Sequence, residues 1–278
     1  MATKTASKPK AGVKPKPVAK AKPKPATRPK VAAKPKAAGN KPKAADTRSS
    51  MTRDDVLARL KRAGTQRVVD DMDRYGIKAA NAFGVQMGAL LKLAKETGKD
   101  HDLALALWDS GWYEARLLAT LIDDPELVTR SQMNAWAAGF ENWADCDTAC
   151  FKLFDQPPFA LDVARKWSTS PKEFVKRGGF ALMASLALHG RCAADQDYLD
   201  MLPLIEKGAA DERNFVMKGV SWALRSIGRR NTALNKAAVA VAKRLSQSDV
   251  QPERWVGKDA LRELTSAKVV ARLNKQAK

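Results

Sequence analysis

From Met51 onward apolar residues recur three and four positions apart, while strict alternation of apolar and polar residues is scarce; this pattern predicts helices rather than strands. Thr52 followed three residues later by Asp55 predicts a reciprocal cap at the start of the first helix. Gly64, Gly76, Gly98, Pro125, Pro157-Pro158, Pro171 and Gly190 mark later breaks. They lie far enough apart for helices of three to five turns, which suits antiparallel helix pairs.

Several of these segments resemble one another. Phe174-Val175-Lys176-Arg177 leads to Ala181-Leu182, Phe215-Val216-Met217-Lys218 leads to Ala223-Leu224, and Trp255-Val256-Gly257-Lys258 leads to Ala260-Leu261. The aromatic starts lie 41 and 40 residues apart, and Tyr113-Glu114-Ala115-Arg116 fits the same template 61 residues before the first. A period near 40 in a helical chain is the size of a HEAT or armadillo unit, a helix pair that buries its apolar stripe on its neighbours. Coincidence among amphipathic helices is the alternative. The expected fold is an all-α superhelical solenoid of antiparallel helix pairs over residues 51–278, with Arg177, Lys218 and Lys258 in equivalent places along a phosphate-binding groove.

Residues 1–50 follow different physics. They hold 15 Lys or Arg against the single acid Asp46, and a basic-Pro-Lys triplet recurs from Lys8-Pro9-Lys10 to Lys41-Pro42-Lys43. Eight of the chain's 14 prolines lie here, with no aromatic residue to seed a core, so the segment is expected to be a disordered Lys/Pro/Ala-rich basic tail. It carries +14 of the chain's net +20 and is suited to tethering phosphate, the alternative being a solubilising leader. That charge favours nucleic acid over other partners. The Phe180–Leu188 run, nine residues free of charge, is too short to cross a bilayer, so no membrane partner is expected. The expected setting is cytoplasmic: nucleoid-associated in a bacterium, nuclear in a eukaryote.

Candidate chemistry is sparse. Two His and three Cys in 278 residues argue against a disulfide framework or a conventional zinc site. Cys146 and Cys150 read best as buried small hydrophobes. His189 reads as a helix C-terminal residue before Gly190. Trp143 and Asp147 stand four apart, so on a helix an indole face and a carboxylate project to one side a turn apart. The plainer alternative makes Trp143 a core residue and Asp147 a solvated or capping one, and Trp222 admits the same choice.

Taken in order, Phe83-Gly84-Val85, Leu107-Trp108-Asp109-Ser110 with Glu114-Ala115-Arg116, Trp143 to Asp147, Phe174 to Arg177, and Asp211-Glu212 running into Lys218 to Arg225 resemble the AlkD-like DNA alkylation repair glycosylases over about residues 52–265. The resemblance implies HEAT-like repeats holding alkylated double-stranded DNA, and hydrolysis of the N-glycosidic bond of cationic N3- or N7-alkylated purines by a monomer without cofactor or metal. It implies Asp147 as the catalytic carboxylate, Trp143 and Trp222 flanking the lesion's sugar, Phe215 near the DNA, and Arg177 on the backbone, with Lys218 and Arg225 as further backbone contacts. Ala144 departs from the pattern, because many relatives carry an acid directly after the Trp. Asp145 therefore competes with Asp147, although its two-residue spacing from Trp143 turns it to another face. The alternative function is a catalytically inactive HEAT-like DNA-binding protein, or a helical-repeat scaffold for acidic protein partners.

Overall fold

The computed structural model describes residues 51–276, and the basic tail expected over residues 1–50 lies outside them. Among the described residues every regular element is helical. α1 (Arg53–Ala63) opens with the Thr52/Asp55 capping box, in which each side chain accepts from the other residue's backbone N–H. α2 (Gln66–Arg74), α3 (Met87–Thr97), α4 (His101–Asp109), α5 (Tyr113–Ile122), α6 (Arg130–Ala138) and α7 (Trp143–Ala149) follow, and α7 runs into a π-helical turn over Cys150–Phe154. The second half holds α8 (Ala160–Trp167), α9 (Glu173–His189), α10 (Asp195–Leu199), α11 (Leu202–Gly208), α12 (Asn214–Gly228), α13 (Thr232–Ser246), α14 (Gln251–Leu264) and α15 (Ala267–Gln276). The Gly and Pro breaks named above all fall outside helices. No described helix is long and apolar enough to cross a membrane.

Helices pair as the repeat predicts. α4 packs on α5, α8 on α9, α11 on α12 and α13 on α14, while α5, α7, α9, α12 and α14 pack in succession as one row. That row carries every candidate site residue. Close packing within pairs explains glycines that cost helix propensity. A Cβ on Gly179 would stand 2.3 Å from the Ser168 backbone nitrogen at the end of α8, and one on Gly257 would stand 2.2 Å from the Ser246 nitrogen at the end of α13. Both pairs thus approach backbone to backbone, and any side chain there would force the helices apart.

The repeat is real in its frame but uneven in its chemistry. Phe174 and Phe215 are the second residues of α9 and α12, whereas Trp255 is the fifth of α14. Arg177 is buried, while Lys218 and Lys258 are exposed, so the three basic residues expected to be equivalent do not share an environment. The reason is local: Arg177 has a carboxylate beside it to offset its desolvation, as described below.

One buried acid organises the N-terminal part. Glu114 on α5 is fully buried, and its carboxylate accepts from the backbone N–H of Phe83 at 2.9 Å, of Gly84 at 2.6 Å and of Val85 at 3.1 Å. Gly84 adopts φ +78°, which presents its N–H to that carboxylate, and Phe83 stacks on Trp112 with centroids 3.8 Å apart. Glu114→Gln offers one acceptor oxygen where three donors converge, so at least one buried N–H loses its partner at a cost of about 1–3 kcal/mol. A thermal melt followed by circular dichroism should show a clear fall in Tm; an unchanged Tm would mean that the loop does not depend on this carboxylate.

Candidate active site

α7 starts where the sequence demands it. The Asn142 side chain accepts from the N–H of Ala144 and Asp145, and the Asp145 carboxylate answers by accepting from the N–H of Asn142 at 3.2 Å and of Glu141 at 3.0 Å. The Asn142 amide also donates to the Lys78 carbonyl, tying this cap to the loop after α2. Asp145 is 1 % exposed, and burial pushes its carboxyl up to about 6 against those backbone donors and the Arg116 charge. Its oxygens are committed to the cap.

Asp147, two residues on, faces the neighbouring helix. Arg177 of α9 grips it with both edges, Nε donating to Oδ1 at 2.9 Å and Nη2 to Oδ2 at 2.6 Å, while Nη1 donates to the Phe215 carbonyl of α12 at 2.7 Å. One hydrogen on each guanidinium nitrogen is thereby used, and a second hydrogen on each Nη remains. The Asp147 side chain keeps 15 % of its surface and that of Arg177 7 %. Burial raises the carboxyl above the ordinary carboxylate range, and the Arg177 charge and hydrogen bonds pull against that rise. Gly219 of α12 lies against the Arg177 stem, where an added Cβ would stand 3.5 Å from Cγ, an ordinary packing distance.

Aromatic groups lie along the α7 stripe that carries this carboxylate. Trp143, one turn before Asp147, donates its indole N–H to the Tyr75 carbonyl at 2.9 Å, so the ring is tied at one edge. Phe151, one turn after Asp147 and inside the π-helical turn, stacks on Trp222 of α12 with centroids 4.6 Å apart and planes within 3°. Phe215 tilts against Phe174 at 5.6 Å, and its ring reaches Gly76, where φ is +66° and a Cβ would meet Phe215 Cζ at 3.2 Å. The Tyr75-Gly76 turn therefore touches both Trp143 and Phe215.

The remaining candidates separate. Lys218 projects to solvent on α12. Arg225 is engaged by α14, with Glu263 at 2.6 Å and Asp259 at 3.5 Å, which offsets much of its charge. Cys146 and Cys150 are buried and bond to the Phe174 and Gly178 carbonyls, whereas Cys192 is only half-buried. His189 ends α9 as read, and its Nδ1 also bonds the buried Asp155 carboxylate at 2.5 Å. Among the described residues no cluster of three or more His, Cys, Asp and Glu stands ready to hold a metal ion.

Two features of the site were absent from the reading of the sequence. One is Phe151, whose spacing of eight from Trp143 and four from Asp147 carried a usable signal. The other is the Asp147–Arg177 pair, which joins residues 30 apart and had no local signature.

The sequence model of the family described as DNA alkylation repair enzyme matches residues 56–264. The chain belongs to that family. Its fold matches a solved structure described as "a new family of proteins related to the HEAT-like repeat DNA glycosylases with affinity for branched DNA structures", with a TM-score of 0.65 and 22% identity, covering 77% of this chain and 96% of that one. An uncharacterized protein of Listeria innocua, Lin0241, is 27% identical over 114 residues, which is 41% of this chain and 48% of the relative. The aligned part thus spans about half the length of that curated relative. Family membership and the helix pairs together make this a HEAT-like repeat fold of the DNA alkylation repair class.

Proposed function

We propose that the helical domain hydrolyses the N-glycosidic bond of cationic N3- or N7-alkylated purines in duplex DNA, with Asp147 as its catalytic carboxylate. The observation that carries this is the position of one partly accessible carboxylate between two aromatic groups, Trp143 on one side and the Phe151/Trp222 stack on the other, with Arg177 fixing its orientation. An alkylated purine is already cationic. When its bond to C1′ breaks, the electron pair moves onto the base nitrogen and the base leaves neutral, so no acid is required. Positive charge passes to the deoxyribose, where the Asp147 carboxylate would stabilise the oxocarbenium character. Water then adds to C1′ and gives up a proton, for which Asp147 or bulk solvent is an adequate acceptor.

The aromatic faces of Trp143 and Trp222 would attract the same cationic sugar and hold bulk water away. Phe215, beside the Arg177 anchor, would lie against the DNA. The free Nη hydrogens of Arg177, together with exposed Lys218 and in a lesser role Arg225, would contact backbone phosphate. Arg177 thus takes two tasks, since the guanidinium that reaches for phosphate also holds the carboxylate. Incubation with methylated duplex followed by chromatography of the supernatant tests the reading: free methylpurine is the expected product. Duplex binding without released base would instead favour a DNA-binding relative that does not cut, a reading to which the branched-DNA affinity described for the 22% identical structure lends some support.

The basic segment would raise DNA affinity without taking part in chemistry. Deleting residues 1–50 removes 15 cationic side chains and should leave single-turnover release at saturating enzyme within about twofold. Binding to undamaged duplex should weaken, and its dependence on salt should flatten because fewer counterions are released. An unchanged salt slope would show that the segment does not engage DNA.

A further inference from the structure

α9 and α12 run side by side beyond the candidate active site, and at their C-terminal ends they enclose a second feature with a distinct chemistry. A cavity of about 360 Å3 is lined by Arg229, Arg230, Arg272 and Gln276, together with Ala187, Leu188 and Ser226. Three guanidinium groups thus share one open space, and none of the described residues lining it is acidic. Outside the lining, Glu263 bonds Arg229 at 3.1 Å and also Arg225 at 2.6 Å, with Asp259 as a second partner of Arg225 at 3.5 Å.

Helix C-termini normally repel anions through their unbonded carbonyls. Here the arginines have dealt with that obstacle. Arg230 donates to the Ala187 carbonyl in the last turn of α9, and Arg272 donates to the Arg229 carbonyl that closes α12. Arg230 is further fixed over the Tyr198 ring at 4.3 Å. Those two carbonyls are thereby satisfied, and the buried Arg230 Nε has no hydrogen-bond partner among the described residues.

The cavity is also in line with the site. Phe215, Trp222 and Arg229 are spaced by seven residues, which at about 100° per residue falls roughly 20° short of two turns, so they form one stripe along α12 with steps of about 10 Å. On α9, Leu188 lies eleven residues beyond Arg177, about 20° past three turns and about 16 Å along the axis, on the stripe of Arg177. Two stripes that begin at the Asp147–Arg177 pair therefore end at the same arginine-lined space.

We propose that this cavity binds a backbone phosphate of the duplex that the active site engages, several nucleotides from the lesion. The proposal rests on the reading of the chain as a duplex-DNA-binding protein but not on its catalysing base release. Phosphate is the ligand that fits, because it offers acceptor oxygens to several guanidinium groups at once. Such a contact would fix the direction of the duplex across α9 and α12 while carrying no sequence information.

The test compares the full chain with Arg229→Gln/Arg272→Gln, leaving the structural Arg230 in place, in binding to an undamaged duplex across a range of salt. Each lost phosphate contact lowers the slope of log affinity against log salt by about 0.9, so the double variant, which loses one, should be flatter by about 0.9. Arg229→Lys/Arg272→Lys should restore most of the slope. Equal slopes for the wild type and the Gln variant would overturn the proposal, whereas a wild type with no salt-dependent binding at all would overturn the duplex-binding reading itself. A measurement on the wild type stands apart from any folding defect: modification of Arg272 by an arginine-selective dicarbonyl, read by mass spectrometry, should slow several-fold when duplex is bound. Equal modification rates with and without duplex would count against the site even if the variants fail to fold.

Discussion

Asp147→Asn is expected to cut base release by roughly 10- to 1,000-fold while duplex binding persists, because it removes the charge proposed to stabilise the sugar cation. The amide keeps the shape of the carboxylate and one of its acceptor oxygens, so the backbone of α7 has no reason to move. It does leave the Arg177 cation buried against a neutral group, and breaking a pair of this kind costs up to about 3–5 kcal/mol. Rates must therefore be compared below the onset of melting. A pH profile separates chemistry from stability. Burial raises the Asp147 carboxyl above the ordinary value near 4, so wild-type release should fall on acidification from a pH above about 4 as the carboxylate takes up its proton. The Asn variant should lack that acid limb. Asp145→Asn should keep both the limb and the rate, since Asp145 serves the α7 cap and its carboxylate bonds the backbone of Glu141 and Asn142. The reverse ranking of the two variants would move the active site to Asp145.

Arg177→Ala is expected to be nearly as damaging, and through the same carboxylate. Without the two hydrogen bonds at 2.9 and 2.6 Å, Asp147 keeps the burial that raises its pKa and loses the charge that opposes it. More of it is then protonated near neutrality. Release should fall by about tenfold or more, the acid limb should move to higher pH, and stability should drop by about 3–5 kcal/mol because a buried charge loses its partner. Arg177→Lys should recover part of the stability without the two-pronged geometry. A purely phosphate-binding Arg177 would behave differently: the Ala variant would lose DNA affinity and salt dependence, and its acid limb would stay in place. Single-turnover rates across pH with saturating enzyme distinguish the two.

The helical scaffold was legible because its signals are local. Apolar spacing, the Thr52/Asp55 cap and the Gly and Pro breaks each act within a few residues, and a period near 40 survives as the matched starts of α9 and α12. Resemblance blocks far apart in sequence proved to touch: Phe83-Gly84-Val85 and Glu114 form one hydrogen-bonded unit. The site was less legible because its chemistry lies between helices. Spacing alone placed Trp143 and Asp147 on one face of α7, but nothing in the local sequence around Asp147 announces that Arg177 holds it. Nor does the sequence around Arg225 reveal that Glu263 and Asp259 offset its charge. Equivalence by repeat position misled for Arg177, Lys218 and Lys258, since a repeat fixes where a Cα stands and leaves open which side chain faces it.

If Asp147 is the catalytic carboxylate, it suffices alone because the leaving base is already cationic. Two duplexes of one sequence, one carrying a single 7-methylguanine and the other a single uracil, test it most directly when each is incubated with excess enzyme at neutral pH and the freed base is counted. The expected result is release of 7-methylguanine well above its spontaneous loss and no release of uracil, whose departure needs a proton from an acid. Efficient excision of uracil, or release of 7-methylguanine no faster than without protein, would contradict it.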